Sequence, residues 1–411
     1  MESIPRFRLI PHWTILGFDM ETLDKPKYKV ILPLWTAIVE KMAVSLFVFS
    51  IVFVLYALFG YPLLLLVWGR LAPSPIQRAP FTPTVSVLIA VRNGERYIAD
   101  KLKSVFALNY PQDKLQVIVI SDGSVDRTEE IVRQFPQVEL LAVLAGGKCA
   151  ALNAGIKKAV HEVIFFTDVR QLLDAACLAN LCACLADPSV GVVSGELVLL
   201  SGDRHEHANL GFYLRFEEWL RKQISAVGSV AGATGAVYVI RRHLAVLLPH
   251  DILLDDVYQP VSAYFQGARV ILDGKSIAYD YPNRLDTEFK RKVRTLAGIF
   301  QILYRFPALL NPRHGICIHF VSHKLSRLML PYAFAAILAA SFFLPQPWAM
   351  LALAGQSLFY GTAVLDFLLP EAFPGKRLTS LTRTFLTMLT AAVFATAIVF
   401  RPSQTLWKET R

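Results

Sequence analysis

The run Val44 to Trp68 (VSLFVFSIVFVLYALFGYPLLLLVW) contains no charged residue, and Lys41 and Arg70 stand on either side of it. A stretch of this length crosses a hydrocarbon core of roughly 30 Å, so it reads as one membrane helix. It starts too far from Met1, and lacks the small-residue cleavage site, to read as a signal peptide. The chain as a whole supports that reading. Its 411 residues are 54% hydrophobic and only 18% charged, too apolar for an ordinary soluble enzyme and too long for one domain.

A second apolar region, Leu328 to Leu369, carries one charge, Asp366, and Pro345-Gln-Pro347 divides it into two spans. A last span covers Thr384 to Phe400. Arg70 and Arg78 follow the first helix, Lys324 and Arg327 precede the second, and Lys376, Arg377 and Arg383 lie between the third and fourth. Basic residues favour the cytoplasmic side, which predicts an integral protein of the plasma or inner membrane with its soluble domain in the cytosol and both termini outside. Lys25, Lys27 and Lys29 in the N-terminal tail argue the other way, and a re-entrant first segment is the alternative they support.

The formal net charge of +10 fits membrane-proximal lysines and arginines meeting anionic lipid. No helix or ribbon carries a basic face with interleaved aromatics, so nucleic acid is not expected as a partner. The five cysteines, Cys149, Cys177, Cys182, Cys184 and Cys317, form no CxxC pair and read as small core residues rather than zinc ligands. His205-Glu206-His207 follows a polar stretch and reads as a solvated loop.

Between Pro83 and Gly274 short apolar runs alternate with amphipathic helical patterns, the signal of βαβ units and a mostly parallel sheet. Strands are predicted at Val85–Val91, Leu115–Ile120, Val138–Val143 and Val163–Thr167. Ser124 is positioned to cap a helix from Val125 to Phe135, with Asp126 in its first turn. Ligands of open α/β sheets gather where parallel strands end at their carboxyl side, which places Asp122 and Asp168 where chemistry is expected. Phe289 to Leu310 mixes basic residues with apolar ones at helical spacing and reads as an interfacial helix.

Seven motifs then carry a resemblance: Ala90-Val-Arg-Asn-Gly-Glu95, Ser121-Asp-Gly-Ser-Val-Asp-Arg-Thr128, Gly147-Lys-Cys-Ala-Ala-Leu-Asn-Ala-Gly155, Phe166-Thr-Asp168, Gly232-Ala-Thr-Gly-Ala236, Leu254-Asp-Asp256 and Arg291-Lys-Val-Arg294. Their order and spacing resemble those of family 2 glycosyltransferases of the membrane-bound cellulose synthase-like and hyaluronan synthase-like type, over roughly Pro83 to Gln301. The resemblance implies an α/β nucleotide-diphospho-sugar transferase domain of the GT-A kind joined to transmembrane helices. The boundaries expected are an N-terminal tail (1–41), a membrane helix (42–69), the cytoplasmic transferase domain (80–283), interfacial helices (284–326), three membrane helices (327–400) and a C-terminal tail (401–411).

The resemblance also implies roles. Arg92, Asn93 and Glu95, with Asp122, resemble contacts to uridine, although Asn93 and Asp122 also suit helix capping. Lys148 would face the diphosphate, helped by the helix N-terminus that begins there. Asp168 resembles the first carboxylate of a DxD motif and would bind Mg2+ or Mn2+ bridging the diphosphate. Asp256 matches the general base of an inverting displacement, and adjacent Asp255 would raise its pKa by repulsion. An Asp-Asp pair is equally an ordinary helix start. Gly235 in the Gly232–Gly235 loop would let backbone approach a sugar. Trp219 would either stack on an acceptor sugar or pack in the core. Arg294 stands at the arginine of a QxxRW motif and would reach the diphosphate.

Two positions depart from the family pattern. Arg170 replaces the second DxD carboxylate, and Thr295 replaces the QxxRW tryptophan, which puts processivity in doubt. The activity implied is transfer of a sugar from a nucleotide sugar, a UDP-sugar by this reading, to a polysaccharide or lipid-linked acceptor in contact with membrane lipid. A homo-oligomer would be one way to complete a channel from four helices. Arg170 also motivates a different class, a non-catalytic nucleotide-binding subunit of an envelope or exopolysaccharide assembly.

Overall fold

The computed structural model describes residues 26–200, 205–281, 285–370 and 373–399. Most of the expected N-terminal tail and all of the C-terminal one lie outside them. The chain divides into two compact units, one of Met1–Phe53 with Ala333–Ser357 and one of Val54–Tyr332 with Leu358–Arg411.

The larger unit is built on an eight-stranded mixed sheet of order β3-β2-β1-β4-β7-β6-β8-β5. The strands are β1 Val85–Val91, β2 Leu115–Asp122, β3 Val138–Val143, β4 Val163–Phe166, β5 Leu172–Leu173, β6 Val190–Leu199, β7 Tyr238–Arg241 and β8 Arg269–Asp280. The first four pair in parallel, so Val91, Asp122, Val143 and Phe166 all end at one edge. Strand β7 runs antiparallel to β4 with Phe166 opposite Tyr238, which delivers the Gly232–Gly235 loop to that same edge.

Both faces of the sheet are covered, which explains why its strands read as unbroken apolar runs. Val85, Val87, Ile89, Val117, Val119 and Phe165 point to one layer with Ile98, Leu102 and Leu178, while Leu88, Ile118, Ile120, Ile164 and Phe166 point to the other with Leu152, Leu220 and Ile224. Four of the cysteines are buried in these layers, Cys317 is half-buried, and all five are free thiols.

Several local expectations are corrected. The helix expected at Val125–Phe135 is only Thr128–Val132. Its first amides are served by Asp126, whose Oδ1 accepts from Thr128 N at 3.0 Å, whereas Ser124 Oγ accepts from Asn93 N at 3.1 Å. His205-Glu206-His207 is the first turn of the helix His205–Val227, not a loop. That helix is held by Leu220 and Ile224 in the core, and tertiary packing of an amphipathic face outweighs the polar start.

Among the described residues three helices are long and apolar enough to cross a membrane: Trp35–Leu71, Trp348–Leu365 and Lys376–Ala395. The first contains a π-helical segment, Tyr56–Gly60. Where a further span was expected, helix Ser326–Ser341 has 16 residues, short of the roughly 20 a bilayer needs. Asp366 is buried and neutralised by Lys376 Nζ at 3.4 Å and Arg383 Nε at 3.0 Å, which explains how a carboxylate is tolerated between apolar runs. The predicted interfacial helix is Leu285–Arg305, followed by a 3-10 turn at Pro307–Leu310. Its Val293, Leu296 and Ile299 pack with Ala391, Ala392 and Ala395 of the Lys376–Ala395 helix.

Candidate active site

Lys148 opens the helix Lys148–Lys158 at the sheet's carboxyl edge. Its Nζ lies 3.1 Å from Asp168 Oδ1 and 3.2 Å from Asp255 Oδ1, so one ammonium ties the end of β4 to the start of helix Asp255–Phe265. Burial works against that charge, but the carboxylates of Asp168, Asp255 and Asp256 outweigh it and hold the lysine above its ordinary pKa. The Asp168 side chain keeps 39% of its surface exposed.

Asp256 is the perturbed member of the group. Burial raises its pKa first, Asp255 and Asp168 add repulsion, and Lys148 and Lys324 partly offset them, leaving it at about 6. The loop opposite is built around this carboxylate. Ala233 N donates to the Asp256 carbonyl at 2.7 Å, and a Cβ at Gly235 would come within 3.1 Å of Asp256 Oδ2. Any side chain at position 235 would press on the carboxylate. Leu254, the residue before helix Asp255–Phe265, makes no side-chain cap bond, so the two aspartates are first-turn residues favoured by the helix dipole.

Arg294 reaches the same place from the interfacial helix. One turn on, a Cβ at Gly298 would lie 2.4 Å from Leu254 Cγ, a contact that only glycine allows and that presses this helix face against the segment leading into Asp255. Burial lowers the Arg294 pKa, and Asp256, Asp255 and Asp168 counter it. Lys148, Asp168, Asp255, Asp256, Gly235 and Arg294 are therefore gathered into one cluster from five separate elements.

Beside the cluster is a cavity of about 410 Å³ lined by Ala90, Val91, Arg92, Asn93, Asp122, Lys148 and Ala151. Its floor is held by side chains that also serve structure. Asp122 is 3% exposed and its carboxylate accepts from Gly146 N at 2.7 Å and Gly147 N at 3.0 Å. Asn93, at a positive φ of 53°, accepts from Val125 N at 2.9 Å, and Glu95 accepts from Arg127 N at 3.1 Å. Asn93 and Glu95 thus bind the loop after β1 to the loop after β2, and Glu95 does not line the cavity. A second cavity of about 440 Å³, with Leu185, Arg241 and Gln266 in its wall, lies at the amino ends of the parallel strands, away from the carboxylates.

The remaining expectations divide. Trp219 packs on the core and stacks on Phe216, with centroids 5.9 Å apart. Arg170 pairs with the buried Asp280 at the end of β8, which also accepts from Gln171 Nε2 at 2.8 Å. Thr295 Oγ donates to Arg291 O at 2.9 Å within its own helix.

Sequence reading missed Lys101 and Arg221, and took Tyr238 only as a possible sugar platform. Lys101, fully buried, donates to Thr167 Oγ1 and to Gln171 O, both at 2.6 Å, and so clamps the loop that carries Asp168. Burial pushes it down to about 7 against the pull of Asp168. Tyr238 is fully buried with its ring stacked on Phe166 at 4.8 Å and its hydroxyl unbonded among the described residues, facing the aspartates. Arg221 bonds Thr234 Oγ1 at 2.9 Å and Gly232 O at 3.3 Å, fixing the loop against Asp256. A lysine in an amphipathic helix and an arginine beside Trp219 carry no sequence signal that separates them from solvated neighbours.

Among the described residues no three His, Cys, Asp or Glu side chains form a metal-ligand group. Asp168 is the exposed carboxylate of the cluster and only its Oδ1 is paired, so it suits an ion held mostly by water and phosphate oxygens, as Mg2+ commonly is.

Residues 86–240 match the model of Glycosyl transferase family 2. Probable glycosyltransferase YdaM of Bacillus subtilis (strain 168) is 34% identical over 128 residues, 29% of this chain and 30% of its own length. Poly-beta-1,6-N-acetyl-D-glucosamine synthase of Staphylococcus aureus (strain COL) is 23% identical over 235 residues, 54% of this chain and 56% of its own. The chain thus spans about half or less of the length of these curated relatives. Among solved structures, the mannosyltransferase PcManGT from Pyrobaculum calidifontis in complex with GDP-Man and Mn2+ superposes with a TM-score of 0.64 at 24% identity, covering 86% of this chain and 98% of that one. Residues 86–240, folded as a mixed GT-A-like sheet with carboxylates at its strand ends, thus form a domain that matches glycosyl transferase family 2.

Proposed function

We propose that this protein is a membrane-bound inverting glycosyltransferase, its transferase domain in the cytosol, moving a hexose from a nucleotide sugar to a lipid-linked or polysaccharide acceptor. The observation that carries this reading is Asp256, a carboxylate raised to about 6 beside Lys148, Asp168 and Arg294 at the edge of a nucleotide-sized cavity. A base near the working pH is what deprotonation of a sugar hydroxyl requires. Arg170, whose presence motivated a non-catalytic reading, is committed to Asp280 and is no longer an argument for one.

The donor's base sits in the cavity by Arg92, Asn93 and Asp122, and its diphosphate meets Lys148 and Arg294. Asp256 takes the acceptor hydroxyl's proton as the oxygen bonds to the anomeric carbon, and the nucleoside diphosphate leaves from the opposite face. Asp168 would hold Mg2+ or Mn2+. Such an ion, when bound, neutralises charge on the departing diphosphate. Our reading of the donor is a UDP-sugar. Because the mannosyltransferase relative was solved with GDP-Man, GDP-mannose is the necessary second arm.

The deciding experiment incubates membranes containing the full chain with radiolabelled UDP-glucose, UDP-GlcNAc and GDP-mannose and separates lipid-extractable from polymeric product. Incorporation from none of them would sink the proposal. Asp168→Ala is expected to raise the donor KM about tenfold or more and to remove any response to Mn2+; full activity of the unsubstituted enzyme in EDTA would remove Asp168 from metal binding.

Product size follows from Thr295. An aromatic platform holds a sugar ring by an amount on the order of 1 kcal/mol. Thr295 offers none, Trp219 packs against the core, and the Tyr238 ring is fully buried against Phe166. The labelled product is expected to be short or lipid-extractable, and high-molecular-mass polymer from the purified chain would overturn the non-processive reading.

A further inference from the structure

Between the 3-10 turn Arg242–Leu244 and helix Asp255–Phe265 the chain runs from Ala245 to Leu254 without helix or strand, yet Leu248, Ile252, Leu253 and Leu254 are buried. Buried backbone groups need partners, and an irregular segment has no ladder of its own to supply them. Amide side chains supply them here. Gln259 Oε1 accepts from Val246 N at 3.0 Å, and its Nε2 donates to Val246 O. Asn153, on the helix that Lys148 opens, accepts from Leu248 N at 2.7 Å and donates to Leu248 O at 2.8 Å. Gln301 takes the last section: its Oε1 accepts from Leu253 N and its Nε2 donates to Asp251 O, both at 3.0 Å.

Gln301 differs from the other two in what it holds and where it comes from. It grips the residues directly ahead of Asp255 and Asp256, at a helix start to which Leu254 gives no side-chain cap. It also stands on the face of helix Leu285–Arg305 that carries Arg294. Arg294, Gly298, Gln301 and Arg305 follow one another at spacings of four, three and four residues, which places them in one stripe. The stripe runs along the segment in register. Arg294 interacts with Asp256 and Asp255, a Cβ at Gly298 would lie 2.4 Å from Leu254 Cγ, Gln301 bonds Leu253 and Asp251, and Arg305 Nη2 is 3.2 Å from Asp251 Oδ1.

These contacts are not equal in weight. The Arg305–Asp251 pair keeps 41% and 30% of its side-chain surfaces in solvent, so screening leaves it worth little. Leu253 is 3% exposed, and its N–H has no water to fall back on. Bonding that N–H and the carbonyl two residues earlier takes an acceptor and a donor on one side chain, which an amide provides. On a neighbouring face the same helix packs Val293, Leu296 and Ile299 against the Lys376–Ala395 helix, so the stripe has a firm backing.

We propose that Gln301 is a positioning residue for the base: it locks the approach to Asp255 and Asp256 onto the helix that carries Arg294, and so keeps the base and that arginine at one spacing. The inference rests on the transferase reading above, in which Asp256 takes the acceptor's proton and Arg294 meets the diphosphate. Arg92, Asn93, Asp122 and Lys148 lie on neither the segment nor this helix, so donor contacts there survive the loss of Gln301. What is lost is the placement of Asp256 against the attacking hydroxyl, where a misplacement on the order of 1 Å costs about a hundredfold in rate.

Turnover is measured on membranes containing the full chain, with whichever of UDP-glucose, UDP-GlcNAc and GDP-mannose the unsubstituted protein incorporates. Sedimentation binding of labelled UDP or GDP to the same membranes counts folded sites, so turnover is expressed per site and unfolded protein drops out. Gln301→Met, of similar length but unable to make either bond, is expected to lower turnover per site about tenfold or more while donor KM stays within about threefold. Gln301→Asn keeps the amide but is one methylene too short to reach both groups; it should fall as far, and it decides the matter if the methionine variant shows no sites. Gln301→Glu still accepts from Leu253 N and should keep turnover per site within about threefold at pH 8, where Asp256 is ionised. Normal turnover per site in Gln301→Met or Gln301→Asn, a loss confined to KM, or a Gln301→Glu protein as slow as Gln301→Met would each overturn the inference. No incorporation by the unsubstituted chain would instead sink the transferase reading, and this inference with it.

Discussion

Asp256→Asn is expected to lower the turnover number by about 10²- to 10⁴-fold, the usual worth of a positioned general base, while changing UDP affinity by less than about threefold. The amide keeps the shape that Gly235 is fitted against, so the loop need not move. What is lost is the capacity to hold a proton. The unsubstituted enzyme should show the same group in its pH profile. A base must be ionised to act, so activity is expected to be full above the Asp256 pKa of about 6 and to fall as pH drops through it. Turnover measured from pH 5 to 9 for both proteins, with calorimetric titration of UDP, makes the check. Retention of more than about a tenth of normal turnover in Asp256→Asn, or an acid limb that survives in it, would take Asp256 out of the base role.

Why this site was largely legible in the sequence, while its supports were not, has a physical explanation. Strands β1 to β4 are apolar on both faces because helices cover both, and their termini are marked by a change to polar residues. The sequence alone therefore puts Asp122 and Asp168 at the edge. The roles expected of Lys148 and Asp256 come from the family resemblance their motifs carry. The second half of the sheet was not foreseen, because β7 enters antiparallel between β4 and β6, with β8 parallel beyond β6, and these strands are set by long-range pairing such as Phe166 opposite Tyr238. Arg170 looked like a change to the metal site, yet its partner Asp280 comes from β8, a strand whose path the sequence does not reveal. Asn93, Glu95 and Asp122 are the instructive middle case. Their motif was recognised, but all three carboxylate or amide groups bind backbone N–H groups, so part of what the motif preserves is the loop itself.

The same reasoning separates Lys148 from the other basic residues. It is the ammonium that holds Asp168 and Asp255 together, and it favours the ionised form of Asp256. Lys148→Met should therefore act in two ways. With this cation gone, repulsion from Asp255 and Asp168 is opposed more weakly, by Lys324, Arg294 and Arg221, so the Asp256 pKa must rise and the acid limb of the rate profile must move above pH 6, toward neutrality. The donor diphosphate loses a charge-assisted contact worth about 1.5–3 kcal/mol, or roughly ten- to a hundredfold in donor KM. Together these predict a fall in kcat/KM at pH 7 on the order of 10³-fold, partly recovered at pH 8.5, where the remaining base is ionised again. Lys148→Arg keeps the charge and should leave the limb near its original place while still impairing the donor, because a planar fork cannot sit between two carboxylates as a compact ammonium does. Profiles of kcat/KM against pH for the three proteins distinguish the two effects. A limb that stays near pH 6 in Lys148→Met would show that Asp256 does not feel this lysine, and the cluster would then have to be divided into a donor-binding half and an independent base.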